Sequence, residues 1–229
     1  MISHRSKFDA VCFDCDSTLS RLEGIDELAR RVGADDEIAP LTAAAMDGSI
    51  PLDDIYAKRL TIIRPDRSAL AWLGQRYIEE TVPGARETVG TLLRAGMPVF
   101  IVSGGLLPAI LPLSAELGIP RNNVYAVDVT FGPDGSYRDF DRHSPLTRPG
   151  GKADICRALI RIYPSLAMVG DGVTDLAARE AGAYIVGFGG VAQRDAVMKS
   201  ADVYIADRDL TAMLEVLLKG PKQTQSDPA

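Results

Sequence analysis

The chain has 229 residues, 46% hydrophobic and 24% charged, with a net charge of −6. That is enough for one large domain or a domain carrying an insertion, and it is a poor surface for nucleic acid. The N-terminus lacks an apolar core of the kind a secretion signal needs, and the longest apolar stretch, residues 97–113, is broken by Ser103, Gly104, Gly105 and three prolines, so no membrane span is expected. Three cysteines make no disulfide framework and fit a reducing cytoplasm, while two histidines, His4 and His143, exclude a His-rich zinc site.

Taken in chain order, the pattern predicts a first strand at residues 8–13 and then a block with no good strand. Helical periodicity recurs in that block at residues 24–32, 40–46, 52–63 and 67–77. Further on, apolar strands at residues 98–102, 124–129, 166–169, 184–186 and 203–205 alternate with helices at 85–95, 107–117, 152–162, 176–181, 191–199 and 210–218. Residues 131–140, with Pro133-Asp134-Gly135 at their centre, read as a β-hairpin excursion. The expectation is an α/β fold: a doubly wound, Rossmann-like parallel sheet with a helical cap inserted after strand 1. Residues 1–19 and 80–229 form its core, with a flexible tail from about 220, and residues 20–79 form the cap.

In such a sheet, ligands bind beyond the carboxyl ends of the strands. Strand 1 ends in Asp14-Cys15-Asp16-Ser17-Thr18. A lone Asp there would serve as a helix cap. Two carboxylates suit a nucleophile and metal ligand beside a proton carrier, because close carboxylates rarely ionise equally. The second strand leads into Ser103-Gly104-Gly105, a hydroxyl and open amides fit for phosphate or for a plain turn. Gly150-Gly151-Lys152 opens a helix with an ammonium at the end of the dipole that disfavours cations. After the fourth strand comes Gly170-Asp171-Gly172-Val173-Thr174-Asp175. With Asp14 and Asp16 this gives an all-oxygen ligand set, which selects Mg²⁺. In the cap, Arg59 shares a helical face with Leu52, Ile55, Tyr56 and Ile63, placed either to lay its stem on the core or to grip a substrate carboxylate. Glu23 precedes the first cap helix, favourable for the dipole or as a counter-charge to an ammonium.

The order Asp-x-Asp-Ser-Thr, Ser-Gly-Gly, Gly-Gly-Lys, Gly-Asp-Gly-x-Thr-Asp resembles the haloacid dehalogenase-like phosphatases from about residue 8 to about residue 205. The likeness is nearest to members acting on O-phosphoserine, and Val99–Gly105 and Ile185–Gly190 add to it. It implies hydrolysis through an aspartyl phosphate on Asp14, with Asp16 as acid and base and Mg²⁺ held by Asp14, the Asp16 carbonyl and Asp171, Asp175 standing behind them or binding through a water. Ser103, Gly104, Gly105, Lys152 and Thr174 would meet the phosphate. Glu23 would meet the amino group, Arg59 the carboxylate, and Met46 would line the pocket. Met46-Asp47-Gly48 stands where Met-Gly-Gly is common. The expected partner is a small phosphomonoester, the chain being a monomer or homodimer. The rival expectations are a phosphotransferase of the same architecture, a phosphatase for another small metabolite, and an inactive binding module.

Overall fold

The computed structural model describes residues 8–47 and 52–219, with the backbone alone at 42–47 and 52–54. Strand β1 (Ala10–Phe13) is wholly buried, as its unbroken apolar run requires. Four helices follow: α1 (Gly24–Val32), α2 (Asp35–Asp47), α3 (Leu52–Ile63) and α4 (Arg67–Glu79). The chain then returns through α5 (Ala85–Arg94) to β2 (Val99–Leu106), α6 (Leu107–Glu116) and β3 (Val124–Val127). A hairpin of β4 (Val129–Phe131) and β5 (Tyr137–Phe140) leads to α7 (Gly151–Ile160) and β6 (Leu166–Gly170). The last elements are α8 (Val173–Leu176), β7 (Tyr184–Phe188), α9 (Asp195–Ser200), β8 (Val203–Ile205) and α10 (Leu214–Lys219).

Six strands form one parallel sheet in the order β3-β2-β1-β6-β7-β8. Val11 pairs with Val99 on one side and with Ala167 on the other. The chain builds outward from β1 in one direction and later in the opposite one, so β1 is the topological switch point. The crevice such sheets use for ligands therefore lies beyond the carboxyl ends of β1, β2 and β6.

The helices between β1 and α5 join the sheet by two adjacent connections. Ser20 bridges Thr81, the Arg21 amide donates to the Glu80 carbonyl at 2.8 Å, and the Val82 amide donates to the Leu19 carbonyl at 2.9 Å. Helix α4 packs closely on α6, where Gly74 leaves room for Pro112.

Several elements differ from the sequence expectation. Strand β2 runs on to Leu106 instead of stopping at Val102, with a register shift against β3 that takes up the Ser-Gly-Gly segment. Helix α2 begins at Asp35, five residues before the expected start, because Asp35, Asp36 and Glu37 suit the positive end of the helix dipole. Pro40 is carried inside it. The segment expected as one strand over residues 124–129 divides at the exposed Asp128, and β4 pairs antiparallel with β5 in a separate sheet. The helix expected over residues 191–199 starts only at Asp195, which leaves Arg194 at its N-cap. The tail from residue 220 lies outside the described residues.

Candidate active site

Asp14 leaves β1 with its carboxylate held at both ends. Its Oδ1 accepts the Cys15 amide at 2.7 Å, and its Oδ2 lies 2.6 Å from Lys152 Nζ. The next residues fold back in a tight turn in which the amides of Thr18, Leu19 and Ser20 all reach the Cys15 carbonyl. Ser17 takes a φ of +51° there, unusual for a residue with a side chain. That backbone aims the Ser17 hydroxyl at Glu23 Oε1, 2.7 Å away.

Asp16 is held differently. Its Oδ1 accepts from the Tyr77 hydroxyl at 2.6 Å and from the Gly24 amide at 3.1 Å. Burial, followed by the charges of Glu23 and Asp14, drives this carboxyl well above the usual range, and the two hydrogen bonds offset only part of the rise. The shift favours the protonated form of Asp16 beside an Asp14 that is paired with an ammonium, the division of labour two close carboxylates favour.

Beside them, Ser103 is buried within β2 and its Oγ accepts the Gly105 amide at 3.1 Å. Lys152, 6% exposed, extends from the first turn of α7 and places Nζ 2.6 Å from both Asp14 Oδ2 and Asp175 Oδ1. Burial alone would lower this ammonium; the two carboxylates more than offset that and hold it above the ordinary lysine range. Helix α7 begins this deep because Gly151 has no side chain, since a Cβ would collide with the Pro145 carbonyl.

Asp14, Asp171 and Asp175 are buried, and each brings a carboxylate oxygen within 4.8 Å of the others. Burial raises Asp171, and it pushes Asp175 up to about 7 despite the adjacent Lys152. Three carboxylates against two cations, Lys152 and the Arg194 guanidinium beside Asp171, leave the cluster short of positive charge. Its donors are all oxygen, so a hard divalent cation fits it.

Pocket-lining residues include Asp14, Asp16, Glu23, Arg59, Ser103, Gly104, Gly105, Lys152, Asp171 and Thr174, around a cavity of about 240 Å³. That volume suits a small ligand. Asp175 stands just beneath, its Oδ2 accepting the Gly172 amide at 2.9 Å. Met46 lies in α2, but its side chain, like those of Asp47 and Leu52, is outside the described residues. Glu23 makes no capping hydrogen bond to α1. Its carboxylate instead turns to Ser17 and to Arg194, whose guanidinium lies 3.3 Å from Glu23 Oε1 and 3.0 Å from Asp171 Oδ2.

Three contributors were not singled out from sequence. Arg194 belongs to no motif and reaches the site only because β7 lies beside β6. Tyr56, on α3, donates to the Gly104 carbonyl at 3.0 Å and packs its ring on Phe140, so the helical block closes onto the strand ends. Tyr77 has the apolar spacing of a core residue, and only the fold brings its hydroxyl to Asp16.

The haloacid dehalogenase-like hydrolase pattern matches residues 8–182. Over 215 residues the chain is 38% identical to the phosphoserine phosphatase of Mus musculus, covering 90% of this chain and 96% of the mouse protein. The chloroplastic phosphoserine phosphatase of Arabidopsis thaliana is 40% identical over 198 residues, covering 85% of this chain and 67% of the plant protein. Among solved structures, a phospho-aspartyl intermediate analogue of phosphoserine phosphatase superposes with a TM-score of 0.76 at 26% identity, covering 91% of this chain and 98% of that one. The chain belongs to the haloacid dehalogenase-like hydrolases and, within them, to the phosphoserine phosphatase family. It is a phosphomonoester hydrolase of a metal-dependent class.

Proposed function

We propose that the chain hydrolyses O-phosphoserine to serine and phosphate, with residues 20–79 as the cap over the site. The observation that carries this reading is the meeting of Asp14, Asp16, Ser103, Lys152 and Asp171 with Glu23 and Arg59 around one small cavity. Asp14 attacks phosphorus, and the ester oxygen leaves with the Asp16 proton. Oδ1 of Asp16 already accepts two hydrogen bonds, so the proton sits on Oδ2. Once serine has gone, Asp16 takes a proton from the water that cleaves the aspartyl phosphate. Ser103, the amides of Gly104 and Gly105, Lys152 and Thr174 bind the phosphoryl oxygens, where charge grows in the transition state.

Asp14, Asp171 and the Asp16 carbonyl would hold magnesium, with Asp175 behind them. When bound there, it offsets the repulsion between the Asp14 carboxylate and the phosphate dianion. Arg59 pairs with the serine carboxylate and Glu23 with its ammonium, for which Glu23 exchanges part of its contact with Arg194. Met46 lines the pocket. Three free, buried thiols fit a cytoplasmic enzyme, and among the described residues no helix is long and apolar enough to cross a membrane.

The test is phosphate release from O-phosphoserine and a panel of other small phosphomonoesters, with magnesium and with EDTA. Magnesium-dependent preference for phosphoserine is expected. Preference for another ester would remove the roles given to Glu23 and Arg59 while keeping the Asp14 chemistry. No release from any ester would overturn the reading.

A further inference from the structure

Tyr77 takes no part in the chemistry above, yet it is fully buried and its only hydroxyl donates to the carboxyl that must move a proton. A carboxyl group turns about a broad, roughly two-fold torsion, so an unanchored acid presents either oxygen to the substrate. At Asp16 the symmetry is broken. The Tyr77 hydroxyl and the Gly24 amide both donate to Oδ1, at 2.6 and 3.1 Å. Oδ2 is turned the other way, 3.5 Å from where a Cβ on Gly105 would stand, at the mouth of the phosphate-binding segment.

Gly24 is part of the same arrangement, because a Cβ on it would collide with the Tyr77 hydroxyl. The position of Tyr77 on α4 adds a second link. One turn later Thr81 bridges Ser20, where the helical block joins the sheet, and the Thr81 hydroxyl donates to the Ile78 carbonyl at 2.6 Å, with the Tyr77 carbonyl 3.3 Å away. Tyr77 thus lies in the last turns of α4, directly before the connection on which the cap sits.

We propose that Tyr77 is a positioning residue for the reaction: it holds Asp16 with Oδ2 aimed at the leaving oxygen, and Gly24 is small in order to admit it. The proposal rests on the reading of Asp16 as the acid that protonates the leaving group. In that step the bond from Asp14 to phosphorus forms and the ester P–O bond breaks. The released electron pair stays on the ester oxygen and takes up the Oδ2 proton. A misaimed acid therefore matters most for leaving groups that are poor without a proton.

Phenyl phosphate and 4-nitrophenyl phosphate separate this from a merely structural role, since neither carries amino-acid groups and they differ in how much the departing oxygen needs a proton. The readout is the ratio of kcat/KM for phenyl phosphate to kcat/KM for 4-nitrophenyl phosphate in wild type, Tyr77→Phe, Gly24→Ala and Asp16→Asn. Tyr77→Phe is expected to lower the ratio about tenfold, part of the full worth of a general acid. Gly24→Ala, which keeps the tyrosine but displaces its hydroxyl, is expected to lower it in the same sense and carries the test should Tyr77→Phe not fold. Asp16→Asn is expected to lower it furthest. If Asp16→Asn lowers the ratio and neither of the other variants does, Tyr77 only satisfies its own hydroxyl and the proposal is overturned. If Asp16→Asn leaves the ratio unmoved, it is the reading of Asp16 as the acid that fails, and the proposal falls with it.

Discussion

Lys152 is a single ammonium placed where a lysine is normally found only if paired. It is 6% exposed and sits 2.6 Å from two carboxylates, themselves shut away from water. Removing one partner of such a group leaves uncompensated buried charge, which costs several kcal/mol. Lys152→Met is expected to lose about 3 kcal/mol of stability in EDTA, measured by urea unfolding. It should also lose most turnover, since the phosphoryl oxygens lose a donor. Loss of turnover at wild-type stability would mean that the ammonium does not neutralise Asp14 and Asp175. The residue was legible in sequence from Gly-Gly-Lys, and its misplacement against the helix dipole was itself the signal. The fold resolves the conflict, because two carboxylates outweigh a weak terminal dipole. Arg194 and Tyr77 carried no such signal: one lies in a loop without a motif, the other has the spacing of an apolar face. Their roles come from which strands and helices are neighbours, which residue type alone does not encode.

The elements that carry the site owe their accuracy to local chemistry that was only partly readable. Helix α4 places Tyr77, and it starts where Asp66 caps it: Oδ1 accepts the Ala69 amide at 2.7 Å and the Ser68 hydroxyl at 2.8 Å. Asp66→Ala is expected to cost about 1 kcal/mol, the usual worth of such a cap. The pH dependence has a definite sign. The Ala69 amide holds the Asp66 carboxyl below its ordinary value in the folded protein. Its contribution is therefore fully present above the unfolded-state value, near 3.9, and is lost as pH falls through the lower folded value. Wild type and Asp66→Ala should thus converge in stability on acidification, and a gap that persists once pH has fallen well below the folded-state value would mean the aspartate acts by something other than its charge. The presence of the parallel strands was legible because runs such as Val11, Cys12 and Phe13 have one use, burial on both faces of a parallel sheet. Boundaries were not. Strand β2 outlasts its apolar run, since two glycines follow an irregular ladder as easily as they make a turn. Helix α2 begins among acidic residues that read equally well as a loop.

At the scale of the whole molecule, the acidic chain gathers its buried carboxylates where three parallel strands end. Asp14, Asp171 and Asp175 come from two strand ends and the helix that follows, so no one segment contains the site and only the assembled sheet brings it together. The raised state of Asp171 and Asp175 means that folding works there against the burial of charge first and against repulsion from Asp14 second, with Lys152 and Arg194 offsetting part of it. A ligand that binds this assembled cluster and not the unfolded chain stabilises the fold by mass action, about 2.7 kcal/mol at one hundred times its dissociation constant. In a chain of this length, each kcal/mol raises Tm by roughly 2–4 °C. Saturating magnesium is therefore expected to raise Tm by about 5–10 °C over EDTA, followed by scanning calorimetry at constant ionic strength. Asp171→Asn should shrink that gain, because it removes one ligand charge, while its own Tm in EDTA should hold or rise as the cost of burying the charge, and with it the repulsion from Asp14, is relieved. The two arms separate a metal site from a structural one. Should Asp171→Asn in EDTA fall well below wild type, with magnesium shifting both equally, the carboxylate is retained for its Arg194 and Thr18 contacts and the cation binds elsewhere.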